Sequence, residues 1–131
     1  MNPEYQALAV LALFFILAWV PASIAKLNTF GWKWLASNRS PVEGKTLDSW
    51  GARCERAHNN LKEFFPGFIV AVLILGAADK FDQGTAYASI IYVIARICHF
   101  ISYGIGNVLG RGLFFFIGLF ANIYLLIKIL I

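Results

Sequence analysis

No charged side chain stands between Glu4 and Lys26. An apolar run of about 21 residues is long enough to cross a bilayer as a helix. Three further apolar stretches follow: about Asn59 to Ala78, about Gly84 to Asn107, and about Gly112 to Ile131. They are too long for barrel strands and show no period-two alternation, so all four read as helices. The first does not read as a signal peptide, because its leading residues hold Glu4 and no positive side chain. Pro21 is expected to kink its inner end.

The composition agrees with a membrane environment. Hydrophobic residues make up 60% of the chain and charged ones 14%, with a mean hydropathy of +0.69. A soluble domain carries about a quarter charged residues. The length of 131 residues suits a single domain over 1–131, with no linker, repeat or low-complexity tract. The net charge of +4 does not point to nucleic acid, because the positive residues flank apolar runs and form no free basic stripe.

The connections set the topology. The first, roughly Leu27 to Ala52, contains Gly31, Pro41 and Gly44. Thr46 or Asp48 is placed to cap a helix that begins near Ser49 and runs on into the second span. The second connection, Asp79 to Gly84, and the third, around Gly104 to Gly110, are short. Short connections make antiparallel neighbours, so the expected fold is all-α: an integral-membrane, up-down four-helix bundle. Lys26, Lys33, Arg39, Lys45, Arg53, Arg56 and Lys62 crowd one end, and Arg111 joins them. The positive-inside rule puts that end in the cytoplasm and both termini outside it. A bacterial inner membrane is the expected location. Trp19, Trp32, Trp34 and Trp50 are placed to anchor the interface or to pack internally.

The densest polar stretch is Arg53 to Glu63, which runs directly into the apolar Phe64–Ala78. Charge held at the mouth of a membrane helix points to a polar ligand. Arg53, Arg56, Asn60 and Glu63 stand at i, i+3, i+7 and i+10, on one face of the second helix. Arg96, His99, Tyr103 and Asn107 form a similar stripe on the third. Guanidinium forks suit carboxylates. Two plainer readings stand beside this one: Arg96 pairs with Glu63 between helices, and Arg53 and Arg56 snorkel to lipid phosphates. His58 is expected to face away from the stripe, toward a neighbouring subunit. Lys62 is expected at the interface, and Asn122 in a hydrogen bond between helices. No metal site is expected. Cys54 and His58 share a helix face, but the adjacent Cys98 and His99 point about 100° apart, and no CxxC or HExxH is present. A disulfide is not expected on a reducing side. No phosphate loop or Ser–His–Asp arrangement is readable.

These residues resemble a known family, the membrane-associated proteins in eicosanoid and glutathione metabolism (MAPEG). Its second-helix pattern stands here as Arg53, Arg56, Ala57, Asn60, Glu63 and Pro66, and its third-helix pattern as Arg96, His99 and Tyr103. The resemblance implies a homotrimer with glutathione as co-substrate in a cytoplasm-facing cleft between subunits. Arg53, Arg56, Asn60, Glu63, Arg96, His99 and Tyr103 would then bind glutathione. Arg111 would be the catalytic residue, holding the cysteinyl sulfur as thiolate. Gly112 and Phe115 depart from the polar group and tyrosine that some active members have there. The expected function is a microsomal-type glutathione transferase or peroxidase acting on lipophilic electrophiles from the bilayer. The alternative is a non-catalytic lipid-binding or scaffold member of the same fold. A small multidrug-type transporter is disfavoured, because Glu63, its only candidate proton carrier, lies beside Arg56.

Overall fold

A computed structural model describes residues 1–131. Six helices follow one another: α1 (Pro3–Leu17), α2 (Val20–Phe30), α3 (Trp32–Leu35), α4 (Ser49–Ala77), α5 (Gln83–Ile105) and α6 (Val108–Leu130). There is no strand. Four segments are long and apolar enough to cross a membrane: the joined α1–α2, then α4, α5 and α6. The shorter two have 23 residues each, about 35 Å at the helical rise.

The first span differs from the single helix expected over Tyr5–Ala25. It extends to Phe30 and is broken at Ala18–Trp19. Pro21 explains where the break falls. Its ring crowds the carbonyl four residues back, at Leu17, and it has no N–H to bond there. α1 therefore ends at Leu17, and Ala18 N–H turns back to the Phe15 carbonyl at 3.2 Å. Lys26 consequently lies on a helix, and the first connection is shorter than the sequence suggests.

The second span begins as expected. Asp48 is the cap: its Oδ1 accepts from Gly51 N–H at 2.6 Å. The fourth helix starts four residues earlier than the expected Gly112. Of the three glycines read as a loop, only Gly106 breaks the chain. It sits at φ +82°, a left-handed conformation that favours glycine. Asn107 N–H closes back onto the Ser102 carbonyl at 2.9 Å, which ends α5. Asn107 Oδ1 then accepts from Gly110 N–H at 3.0 Å, which starts α6. Two residues thus reverse the chain, and α5 and α6 pack side by side along their length.

The interior is built for close approach. Only 27 of 131 residues are buried, so most large apolar side chains face outward to lipid or to other chains. Lipid is as apolar as leucine, so helices in a bilayer associate by packing and need small residues at the contact. The buried set supplies them: Ala7, Ala22, Ala25, Ala57, Ala71, Ala88, Ala95 and Ala121. Gly118 brings α6 onto Arg96 and Ala95 of α5, where a Cβ would lie 3.3 Å from Arg96 Cδ. Between these, Leu11, Phe68, Val72, Leu75 and Leu125 fill the centre. Phe68 of α4 stacks on Tyr92 of α5 at 4.3 Å.

The end opposite the arginines is tied by polar contacts. Lys80 Nζ donates to the Ile129 carbonyl at 2.9 Å, satisfying the last turn of α6. Asp82 caps α5 by accepting from Thr85 N–H at 2.8 Å, and pairs with Lys128 at 2.5 Å. The hydrogen bond from Lys128, then that from Thr85, hold the Asp82 carboxyl below the usual value. A depressed folded-state pKa stabilises the fold above the unfolded value and loses that stabilisation as pH falls through the folded one. Asp82→Asn should therefore flatten the acid limb of stability below about pH 4 while keeping the cap. Thermal unfolding in detergent at stepped pH checks this, and an unchanged acid limb would refute it.

Of the four tryptophans, Trp19, Trp32 and Trp50 are exposed. Trp34 instead organises the first connection. It stacks on Phe30 at 4.3 Å, and its Nε1–H donates to the Ser40 carbonyl at 2.8 Å.

Candidate functional site

Helical spacing brings the α4 stripe together, and α5 runs beside it. Arg53 reaches across to the end of α5, where its Nε–H donates to the Gly104 carbonyl at 3.0 Å. That carbonyl lies in the last turn of α5, where a cation complements the helix dipole. Arg53 thereby pins the α5–α6 joint to α4. Asn60 Oδ1 accepts from the Arg96 guanidinium. Arg96 is 1% exposed and its guanidinium lies 5.3 Å over the Phe64 ring. Its Nε has no partner.

Arg96 therefore bonds Asn60 and not Glu63. Glu63 is exposed and forms no ion pair. Arg56 is also exposed, with its guanidinium 5.9 Å from the Tyr103 ring centre. Arg111 comes from α6 to lie 4.8 Å over the same ring. It stands in the first turn of α6, its N–H donating to the Asn107 carbonyl at 3.0 Å. Tyr103 is thus flanked by two guanidiniums from two different helices, each within range of a cation–π contact.

His99 is 2% exposed, and its ring meets the edge of Tyr103 at 5.7 Å. Its Nδ1 has no partner. Phe115 of α6 covers the other side, 6.1 Å from His99 and 5.1 Å from Phe64. Gly112 leaves open space where a Cβ would stand.

The charge balance here is unusual. The protein has two ion pairs, Lys26–Glu55 and Lys128–Asp82, and neither uses an arginine. Four guanidiniums, those of Arg53, Arg56, Arg96 and Arg111, gather at one end of α4, α5 and α6 with Glu63 as the one carboxylate of the stripe. Guanidinium groups in a membrane protein normally find an anion. Here the protein supplies none within ion-pair distance.

The sequence profile of the MAPEG family matches residues 6–131, essentially the whole chain. The chain belongs to the MAPEG family. Among curated proteins no sequence matches it. As a MAPEG protein it is an integral, multi-pass membrane protein of four spanning segments.

Not every residue of the two stripes joins this cluster. Asn107 is consumed as the α6 cap. His58 faces away from the stripe, as its offset suggests, but into a cavity against α2 of its own chain and not toward the expected neighbouring subunit. Asn122, expected in an interhelical hydrogen bond, has its Oδ1 buried without a partner, while its Nδ2 packs against Gly67. Tyr92 was missed. Its hydroxyl donates to the Phe64 carbonyl at 2.9 Å and joins α5 to α4 one turn below Arg96. The signal was present, since Tyr92 lies four residues before Arg96 and extends the stripe.

Proposed function

We propose that this MAPEG protein binds glutathione on the arginine face of α4, α5 and α6 and transfers it to lipophilic electrophiles. One observation carries the reading: Arg56 and Arg111 flank Tyr103, Arg96 bonds Asn60, Arg53 reaches the Gly104 carbonyl, and none of the four has an ion-pair partner from the chain. Glutathione presents two carboxylates, an ammonium and a thiol. Arg53 and Arg56 suit the carboxylates, and the free Glu63 suits the ammonium. Asn60, oriented by Arg96, suits the peptide groups, while His99 and Tyr103 line the cleft. Arg111 is the cation for the sulfur. A thiol of pKa about 8.5 ionises substantially at neutral pH only beside such a charge. The thiolate then forms a C–S bond to an electrophilic carbon dissolved in the bilayer, reached along Phe114, Phe115 and Phe116. The carbon expels its leaving group with the bonding pair or, at an activated double bond, passes the π pair to the adjoining atom, which takes a proton from water. The thiol proton goes to solvent.

Calorimetric titration of glutathione, with the ultraviolet absorbance of the bound thiolate, tests both halves. Arg111→Ala should leave glutathione affinity nearly intact but abolish the thiolate absorbance and lower kcat. Unchanged absorbance would remove Arg111 from the chemistry.

A second reading is a lipid-binding or scaffold role without turnover. Phe115 and Gly112 favour it, because neither position offers a polar group to share the sulfur with Arg111. Glutathione binding with no thiolate signal at neutral pH selects this reading.

The assembly belongs to the same proposal. A homotrimer would complete the cleft between subunits and cover part of the outward apolar surface. A stable monomer in detergent that still binds glutathione would count against it. The arginine end faces the cytoplasm and both termini lie outside it, following the positive charge of the first connection. Single cysteines at Asn2 and Trp34 should be labelled by an impermeant thiol reagent only at position 2 in intact cells. Labelling at position 34 would reverse the topology.

A further inference from the structure

A polar cavity lies on a different face of α4 from the arginine stripe. It has a volume of about 300 Å³ and sits between the α1–α2 break, α3 and α4. Lys26, Arg39, Lys62 and His58 line it, with Glu55 the single acid. Glu55 is already paired with Lys26 at 2.7 Å. Lys62 has no hydrogen-bonding or ionic partner. Arg39 is held by its Nε, which donates to the Leu35 carbonyl at 3.0 Å, so its two terminal nitrogens remain unbonded. Its backbone takes φ +58°, a conformation unusual for any residue but glycine. The cavity therefore presents two unneutralised cations, with Ser23 and Asn59 as further hydrogen-bonding groups.

We propose that this α2–α4 cavity binds the phosphate headgroup of an anionic phospholipid. The charge asks for an anion of one or two charges, and a phosphate has the oxygens to meet Arg39 and Lys62 together. The space equals about ten waters, enough for a phosphate and its polar substituent. Position selects a lipid. Trp19, which is 52% exposed, forms one wall at the break in the first span. An exposed tryptophan beside lysines marks the headgroup level of a bilayer, and basic cavities between spanning helices take anionic headgroups there. The site is separate from the glutathione face and does not depend on that assignment.

The test uses purified, detergent-solubilised protein exposed to mixed phosphatidylglycerol and phosphatidylcholine, with the retained lipid counted by native mass spectrometry. The unaltered protein should retain phosphatidylglycerol preferentially. Arg39→Gln with Lys62→Gln should reduce that preference by about 10- to 30-fold, the loss expected for two basic side chains at an anionic headgroup. Lys33→Gln with Lys45→Gln removes two exposed charges from the same connection without touching the cavity, and should change nothing. Both pairs are largely surface positions, and circular dichroism verifies their fold. A phosphorus NMR titration with inorganic phosphate distinguishes the source. Phosphate binding that is lost in the Arg39/Lys62 variant, with no lipid preference, supports the anion site but assigns it to a soluble ligand. The absence of both lipid preference and phosphate binding overturns the proposal. So does a preference that survives the Arg39/Lys62 change or falls equally in the Lys33/Lys45 control.

Discussion

On the proposed glutathione reading, Arg56→Ala should weaken binding of the tripeptide by about ten- to over a hundredfold while leaving the fold intact. The magnitude follows from the loss of a charge-assisted contact, about 1.5–3 kcal/mol. The selectivity follows from where Arg56 stands. Its side chain is exposed, donates no hydrogen bond within the protein and lies 5.9 Å from the Tyr103 ring centre. Removing it leaves no buried group without a partner. Arg53 is different, because its Nε–H holds the Gly104 carbonyl. Arg53→Ala should lower both affinity and thermal stability, since it loosens the α5–α6 joint. Calorimetry with glutathione and thermal unfolding, run on both variants, separate the two roles. Unchanged affinity in Arg56→Ala would show that the exposed guanidinium only meets lipid phosphate, and would remove the main support for a glutathione carboxylate there.

Thr85→Val destabilises the bundle by about 2–4 kcal/mol. Glu4 is 1% exposed, and its carboxylate accepts the Thr85 hydroxyl at 2.5 Å. The same hydroxyl accepts from Asp82 N–H at 2.8 Å, so it also completes the box that caps α5. Valine keeps the shape and deletes both contacts. A hydrogen bond to a charged group is worth about 1.5–3 kcal/mol and a cap about 1 kcal/mol. The apparent unfolding midpoint in detergent should fall by several degrees. Thr85→Ser should retain most of the stability, because it keeps the hydroxyl. A valine variant as stable as the parent would show that Glu4 is satisfied by other means.

The Glu4–Thr85 contact also shows where sequence reading stops. Both residues are visible as polar groups beside apolar runs, yet they are 81 positions apart. Nothing local indicates that the start of α1 meets the start of α5. The same limit applied to Arg96. Helical spacing put Arg96 and Glu63 on facing stripes and left their pairing open. The fold turned the guanidinium inward onto Asn60 and Phe64 and left Glu63 outside.

What the sequence determined by itself was whatever depends on length, period and local chemistry. Apolar runs of membrane length required four spanning segments. The 3.6-residue period grouped Arg53, Arg56, Asn60 and Glu63 on one face and set His58 off it. The cap was legible to within two candidates, Thr46 and Asp48, because a cap acts within three residues, and the structure uses Asp48. Spacing at this level also carried the family, since its motifs are intrahelical. Only the tertiary structure decided the rest. It drew Arg56 and Arg111 to one tyrosine, spent Asn107 on the joint between α5 and α6, and opened a basic cavity behind the stripe. A helix fixes which of its residues share a face. Which face meets which neighbour is set by packing between segments far apart in the chain, where small buried residues such as Gly118 and Ala95 allow the backbones to approach.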